Sequence, residues 1–296
     1  MTNDLVKKYP WLSVTTTLEK YIDPDYYDKI LKKYIFNGKH DLDFLKDVAT
    51  QIPGGSKIVE FGPGTGRATV IALSAIKEIK LFTLVELSDR MLARCKEKFA
   101  DKSFVKYVNS DTINFLLSTN EIYNFAFSLW SFSHSIHQNF KKLGLEEGSK
   151  KVRQAITKLL TKNLRQGGSF FLVHFDSLSP EQKISINQRR KDNFVFANNK
   201  LQSPSKLLID ELLGALKNQG AIDFVCTHYD GAPLEFKSVD EALEYYLNFH
   251  MESHFNESKS IAEILAELSD DIEKHKNNDG MIRITPRCFI YNILKR

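Results

Sequence analysis

The sequence is short of cysteine, of long apolar runs and of concentrated charge, and each shortage removes a class of protein. Only three cysteines occur in 296 residues. Cys95, Cys226 and Cys288 lie far apart and without Cys-x-x-Cys spacing, so neither a disulfide framework nor a zinc site is expected and a reducing compartment fits. No run of about 18 apolar residues is present, which argues against a membrane-spanning helix and a membrane partner. Met1 to Ser13 is polar and charged, without the apolar core of a secretory signal, so a cytoplasmic protein is expected. Lysine and arginine total 41 against 37 acidic residues, a formal excess of +4 scattered along the chain. Nucleic-acid binding needs a concentrated basic face, so nucleic acid is not the expected partner. The densest cluster, Arg189-Arg190-Lys191, reads as the solvated face of a helix.

What is present suits a soluble protein with a substantial core: 42% of residues are hydrophobic and 26% charged. The length fits one α/β domain of about 250 residues with an added segment. Asp23-Pro24 starts a helix on which Tyr27, Ile30, Leu31 and Tyr34 recur at helical spacing, and a second helix runs from Asp41 to about Gln51. Residues 1–52 therefore form a helical cap. From Lys57 the pattern alternates. Strands are expected at Lys57–Phe61, Leu81–Glu86, Phe104–Val108, Tyr123–Trp130, Ser169–Phe175, Ile222–Thr227 and Cys288–Leu294. Helices lie between them, including a long one from about Glu147 to Arg165 that Gly167-Gly168 ends. This order predicts an α/β fold with a Rossmann-like, seven-stranded, mostly parallel sheet. The core would cover residues 53–230 and the last strand 281–296. Between them, 231–280 would be a helical insertion larger than a connecting loop needs.

One segment carries the chemistry. Glu60-Phe61-Gly62-Pro63-Gly64-Thr65-Gly66 directly follows an apolar strand and precedes a helix, where glycines let backbone approach a ligand at the carboxyl edge of a sheet. A dinucleotide-binding loop would place glycine at position 67, where Arg67 stands, and would lack an acid at position 60.

The loop resembles the first motif of the class I S-adenosylmethionine-dependent methyltransferases, acidic-x-Gly-x-Gly-x-Gly, and the resemblance runs over four successive strand ends. It implies S-adenosylmethionine as cofactor. Glu60 would receive the cofactor's α-amino end, with Phe61, Gly62, Gly64 and Gly66 lying against it, and Glu86 would hold the two ribose hydroxyls with its paired acceptors. Leu87 and Met91 would flank the adenine, Asp111 would meet its amino group with Thr112 beside it, and Ser128 and Leu129 would lie beneath the sulfonium. Trp130 would face the substrate. Taken singly, Glu86 or Asp111 reads equally as a solvated strand end or helix cap, and Trp130 as a core residue.

Methyl transfer from a sulfonium is an in-line displacement that needs alignment and exclusion of water, and no metal. His134 is the candidate catalytic base, and His137 joins Trp130 as a substrate-binding candidate. Tyr27, with Tyr21 and Tyr26, belongs to an N-terminal helix that in related enzymes folds over the cofactor; core packing is the competing role. The pair His250 and His254 lacks the glutamate of the zinc-protease pattern at position 251, so no metal is assigned.

The stretch Ser128-Leu129-Trp130-Ser131 lacks the Asn/Asp/Ser-Pro-Pro-aromatic motif of enzymes that methylate amino groups of DNA and RNA, and only Asp176 offers a carboxylate for a catechol-type metal site. The cap, length and insertion are similar in layout to small-molecule N-methyltransferases such as histamine N-methyltransferase. The expected activity is thus methyl transfer to nitrogen or oxygen of a small molecule, and nothing in the sequence specifies an oligomer. Tyr245, Tyr246, Phe249 and Phe255 of the insertion could wall an apolar pocket. A non-catalytic methyltransferase-like partner subunit and an aminopropyl transferase using decarboxylated cofactor are the rival classes.

Overall fold

The computed structural model describes residues 3–13, 24–191, 201–250 and 260–296. Two compact units divide the chain: Met1–Gly38 with Asp176–Ser203 and Asp230–Arg287, and Lys39–Phe175 with Pro204–Tyr229 and Cys288–Arg296. The second is built around the sheet and is called the donor unit below.

Seven strands form that sheet: β1 Lys57–Phe61, β2 Leu81–Glu86, β3 Val105–Asn109, β4 Tyr123–Leu129, β5 Leu164–Phe175, β6 Ile222–Asp230 and β7 Arg287–Lys295. Their order is β3-β2-β1-β4-β5-β7-β6. β1 pairs in parallel with both β2 and β4, β2 with β3, and β4 with β5, while β7 runs antiparallel to β5 from Cys288 opposite Phe175 to Leu294 opposite Ser169. The expected fold class is the observed one. β1, β2 and β4 are buried nearly throughout, as strands covered on both faces must be, and Phe61, Phe82, Phe125, Phe127 and Phe132 fill the interior. The strand order reverses between β1 and β4. In an open α/β sheet such a reversal opens a crevice at the carboxyl edge, and the glycine loop sits at the end of β1.

Helices follow the strands as the capping residues dictate. Ser88 accepts from the Met91 N–H at the start of Asp89–Lys98, and Asp111 from the Asn114 N–H at the start of Thr112–Ser118. One stretch differs from its sequence reading. The helix expected from about Glu147 to Arg165 spans Leu145–Lys158, and a π turn, Leu159–Asn163, then leads straight into β5 at Leu164. Gly167-Gly168 therefore does not cap a helix. It lies where the β4–β5 register shifts, with Tyr123 opposite Leu164 but Phe125 opposite Ser169. Gly167 adopts φ +71°, and a Cβ on Gly168 would come within 2.9 Å of the Arg165 carbonyl, so the glycines make a bulge.

The other unit packs Pro24–Leu31, Pro180–Lys191, Val239–Phe249 and Ile261–Glu273 around a two-stranded antiparallel ribbon, Leu234–Phe236 with Ile282–Ile284. Ser179, Ser238 and Ser260 cap three of these helices through Gln182, Glu241 and Glu263 N–H groups. Compared with the division expected from sequence, this unit also takes in residues 176–203, and helix Asp41–Ala49 belongs to the donor unit. The reason is visible in Asp41, whose buried carboxylate is held by two donor-unit side chains described below. Tyr21, His254 and Phe255 lie outside the described residues.

Candidate functional site

The glycine loop leaves β1 through a sharp turn. Gly62 has φ +69° and a Cβ there would collide with the Ser131 side chain, so only glycine lets the loop pass the end of β4. Gly64 has φ +55°, yet a Cβ on it would meet nothing within 4 Å. Its surface faces open space, which is what a backbone cradle for a ligand requires. Gly66 begins helix Arg67–Ala75.

Two glutamates stand behind this loop. Glu86, at the end of β2, accepts from the Gly64 N–H through Oε2 at 3.1 Å and from the Ser88 N–H through Oε1 at 2.9 Å. Each oxygen keeps a second lone pair, so the carboxylate is oriented by backbone while still able to receive two hydroxyls. Burial raises its pKa, and the backbone hydrogen bonds partly offset that. Glu60 is fully buried and accepts from Thr69 Oγ1 at 2.6 Å. Burial, joined by the charge of Glu86, pushes its pKa up to about 8, against the pull of the Thr69 hydrogen bond and of Arg67. A buried pair of carboxylates of this kind favours a cationic visitor. Cys95 lies behind both carboxylates, donating to the Gly64 carbonyl at 3.2 Å; burial and their charges raise its thiol pKa to about 12, which keeps it unreactive.

The remaining sequence-predicted residues fall in varied surroundings. Leu87 is exposed and Met91 buried, on either side of the Ser88 cap. Asp111 caps its own helix and also lies 3.4 Å from Asn139 Nδ2, while Thr112 is buried. Phe61 contributes its carbonyl, which accepts from Ser128 Oγ at 2.7 Å and Ser131 Oγ at 2.8 Å, and its ring packs against Phe115, Phe132 and Phe170. Ser128 and Leu129 are buried at the end of β4. His134 is exposed in the first turn of Phe132–Leu143, and half-buried His137 packs near Phe140. Tyr27, half-buried in the other unit, lies 5.7 Å from Phe249, ring to ring. Asp176 is buried, its Oδ1 already held by Leu178 N–H and Gln202 Nε2.

Trp130 is the least expected. It is a bulky residue with φ +67°, it is buried against Phe175 at 4.5 Å, and its indole N–H donates to Asp41 Oδ2 at 2.6 Å. Asp41 also receives both terminal nitrogens of Arg67, the residue that follows the glycine loop. Asp41, Arg67, Thr69 and Ser131 were not singled out as site residues in the sequence. Asp41 looks like any acid in a helix first turn, and only the long-range pairing with Trp130 shows that it is buried. Among the described residues no group of three or more His, Cys, Asp or Glu could hold a metal, and no helix is long and apolar enough to cross a membrane.

The residues present fit S-adenosylmethionine. Glu86 would hold the ribose diol, Glu60 the α-ammonium, and Gly64 the open backbone cradle between them.

Two solved structures support the fold, and a third bears a looser likeness to the chain. The YcgJ protein of Bacillus subtilis matches 86% of this chain over 97% of its own at 13% identity, with a TM-score of 0.54. BH2331 of Bacillus halodurans C-125 matches 86% over 98% at 15% identity, with a TM-score of 0.50. A third, a SAM-dependent methyltransferase from Thiobacillus denitrificans in complex with S-adenosyl-L-homocysteine, matches 86% over 90% at 16% identity, with a TM-score of 0.46. A search of curated protein sequences finds no match. None of these findings points to histamine N-methyltransferase in particular, so that likeness rests on layout alone. The model of the ribosomal RNA adenine dimethylase family matches residues 22–218, two thirds of the sequence and including the glycine loop and all four strand-end motifs, and the chain belongs to that family.

Proposed function

We propose that the protein moves a methyl group from S-adenosylmethionine to nitrogen or oxygen of a small-molecule acceptor by in-line displacement. The cofactor supplies a methyl already activated by a positive sulfur, which leaves as a neutral thioether. The chain's own task is to bind, orient and exclude water. Glu86, fixed by the Gly64 and Ser88 N–H groups, holds the ribose end, and Glu60 ionises to receive the α-ammonium. Asp111 meets the adenine amino group, and Ser128 and Leu129 shape the floor beneath the reacting carbon. His134 takes the proton when the nucleophile arrives protonated. A cytoplasmic location accompanies this reading.

One observation carries the choice of a small acceptor. Enzymes that methylate a base must draw it out of its stack and receive it on an aromatic or apolar face. At the end of β4 the available aromatic, Trp130, is buried on Phe175 with its N–H given to Asp41, and no proline precedes it. The family match favours a second reading, in which the acceptor is an adenine of structured RNA. Incubating the protein with methyl-labelled S-adenosylmethionine, with metabolite extract in one arm and ribosomal RNA or small ribosomal subunits in the other, separates the two. The expected result is a small molecule heavier by one methyl, absent with the Glu86→Ala variant. Label on RNA adenine would replace the first reading by the second. No label in either arm, with tighter binding of decarboxylated than of complete cofactor, would indicate aminopropyl transfer, and binding without any turnover a partner subunit.

A further inference from the structure

Helix Pro180–Lys191 carries three buried polar atoms without a hydrogen-bond partner: Glu181 Oε2, Gln182 Nε2 and Ser185 Oγ. Buried polar groups are nearly always satisfied, so three within five residues call for a cause. The Glu181 carboxylate is fully buried and lopsided. Its Oε1 accepts from the hydroxyls of Tyr34 and Tyr245 and lies 3.0 Å from His250 Nε2, while Oε2 is bare. The two tyrosine hydroxyls are 2.5 Å apart, and the Tyr246 hydroxyl donates to the Glu181 carbonyl at 3.2 Å. Ser185 follows Glu181 by one helical turn, so the two unsatisfied oxygens share a helix face.

Aromatic rings surround this centre. The Tyr245 ring lies 5.2 Å from Phe236, 5.6 Å from Phe249 and 5.4 Å from His250, and the Tyr34 ring lies 6.0 Å from Phe249. Phe249 also meets half-buried Tyr27, so the row of rings extends outward from Glu181. A bare carboxylate oxygen, an unpartnered hydroxyl one helical turn on and aromatic rings packed around the carboxylate's own partners form the complement of a protonated amine. Its N–H groups would satisfy the oxygens, its charge would be matched by the carboxylate, and the ring faces would favour it further. A neutral alcohol would gain only part of this, and a carboxylate ligand would be repelled.

We infer that the Glu181 centre is a binding site for the ammonium end of a small amine. The inference rests on the methyl-transfer reading in one respect only, that this amine is then the acceptor, anchored by its charged end.

The test uses the full chain and titration calorimetry with 2-phenylethylamine, hexylamine and 1,4-diaminobutane, against 2-phenylethanol and 3-phenylpropionate as neutral and anionic matches. Binding of at least one amine, well above its alcohol counterpart, is expected. Glu181→Gln keeps the shape and removes the charge, and should weaken amine binding about 10- to 100-fold, the loss of a charged hydrogen bond. S-adenosylhomocysteine is titrated in parallel and should be unaffected. Its failure to bind would sink the donor-site reading without touching this one. Equal binding of amine and alcohol, no amine binding at millimolar concentration, or unchanged affinity in Glu181→Gln would overturn the inference. Should Glu181→Gln not fold, Ser185→Ala gives the same reading through a few-fold loss of amine affinity, and unchanged affinity there would overturn it.

Discussion

The donor unit and the unit that carries Glu181 treat their buried carboxylates in opposite ways. In the donor unit Glu60 is met by Thr69, Glu86 by two backbone N–H groups, and Asp41 by Arg67 and Trp130. Around Glu181 one oxygen is crowded by three donors while the other has none, and neither has the hydroxyl of Ser185 one helical turn on. The first arrangement is complete without a ligand and only has to keep its geometry, as preorganised sites do. The second is incomplete and gains its missing partners from whatever binds. A site for a common donor and a site for a selected acceptor would differ in this way.

The sharpest way to break the comparison is to damage the completed side. Asp41→Ala removes a buried anion from Arg67 and leaves the Trp130 N–H without its acceptor, in a residue already held at positive φ. Breaking a buried pair in this way costs about 3–5 kcal/mol, and thermal unfolding should show it as the largest single loss of stability in the donor unit. Asp47→Ala, which breaks the exposed Lys39–Asp47 pair at 2.7 Å, should leave the unfolding temperature nearly unchanged, because solvent screens such a pair. Similar losses for the two would mean that the Asp41 network does not exist as described.

Next in size is Glu86→Ala, which should weaken S-adenosylhomocysteine binding by about 1.5–3 kcal/mol through loss of charged hydrogen bonds, with the fold intact. Gly64→Val should lose affinity by a different route, forcing a branched side chain into a left-handed backbone and into the open cradle. Unchanged calorimetric affinity in Glu86→Ala would detach the donor from this edge of the sheet.

Much of the donor unit was legible in the sequence because its signals are local. An apolar run, three glycines and an acid fix the strand, the turn and the helix start within ten residues, and β1 and β2 occupy the expected spans without change. The glycines 167 and 168 misled because the same pair serves a helix end or a strand bulge, and only the register against β4 decides. Trp130 reads from the sequence as either a core or a substrate-facing residue, because its burial depends on Asp41, 89 residues away. Glu181, directly after Ser179-Pro180, carries no local signal of a binding role in the sequence. Its neighbours Tyr34, Tyr245 and His250 are 147, 64 and 69 residues distant, and no spacing rule connects them.

The comparison can be sharpened with pH. Glu60, pushed up to about 8 by burial, is protonated at neutral pH in the free protein and must ionise to receive a cation. Donor binding should then release a proton, with affinity rising by up to about tenfold per pH unit from pH 6 towards 8. It should fall again above about 8, where the ligand's own α-ammonium deprotonates. Stability should move the other way. The unfolded carboxyl ionises near 4.5 while the folded one stays protonated to about 8, so the folded state holds the extra proton across that window and stability declines as pH rises through it. Glu60→Gln should flatten both curves. Calorimetry in two buffers of different ionisation enthalpy checks the proton release, and an unchanged slope in the variant would assign it elsewhere.

The smallest effect tests the incomplete side. Ser185 is buried on a helix with its hydroxyl unpartnered, so in the free protein the hydroxyl is a cost rather than a contribution. Ser185→Ala removes that cost and replaces serine by the better helix former, which together should stabilise the protein by up to about 1 kcal/mol, or roughly 2–4 °C in Tm for a unit of this size. Mutations to alanine in a well-packed interior ordinarily go the other way. A gain in Tm accompanied by weaker amine binding would show a polar group kept at the expense of stability for a ligand's use. A loss of stability instead would mean that the hydroxyl has a partner in solution, and the contrast between the two units would shrink to Glu181 Oε2 and Gln182 Nε2.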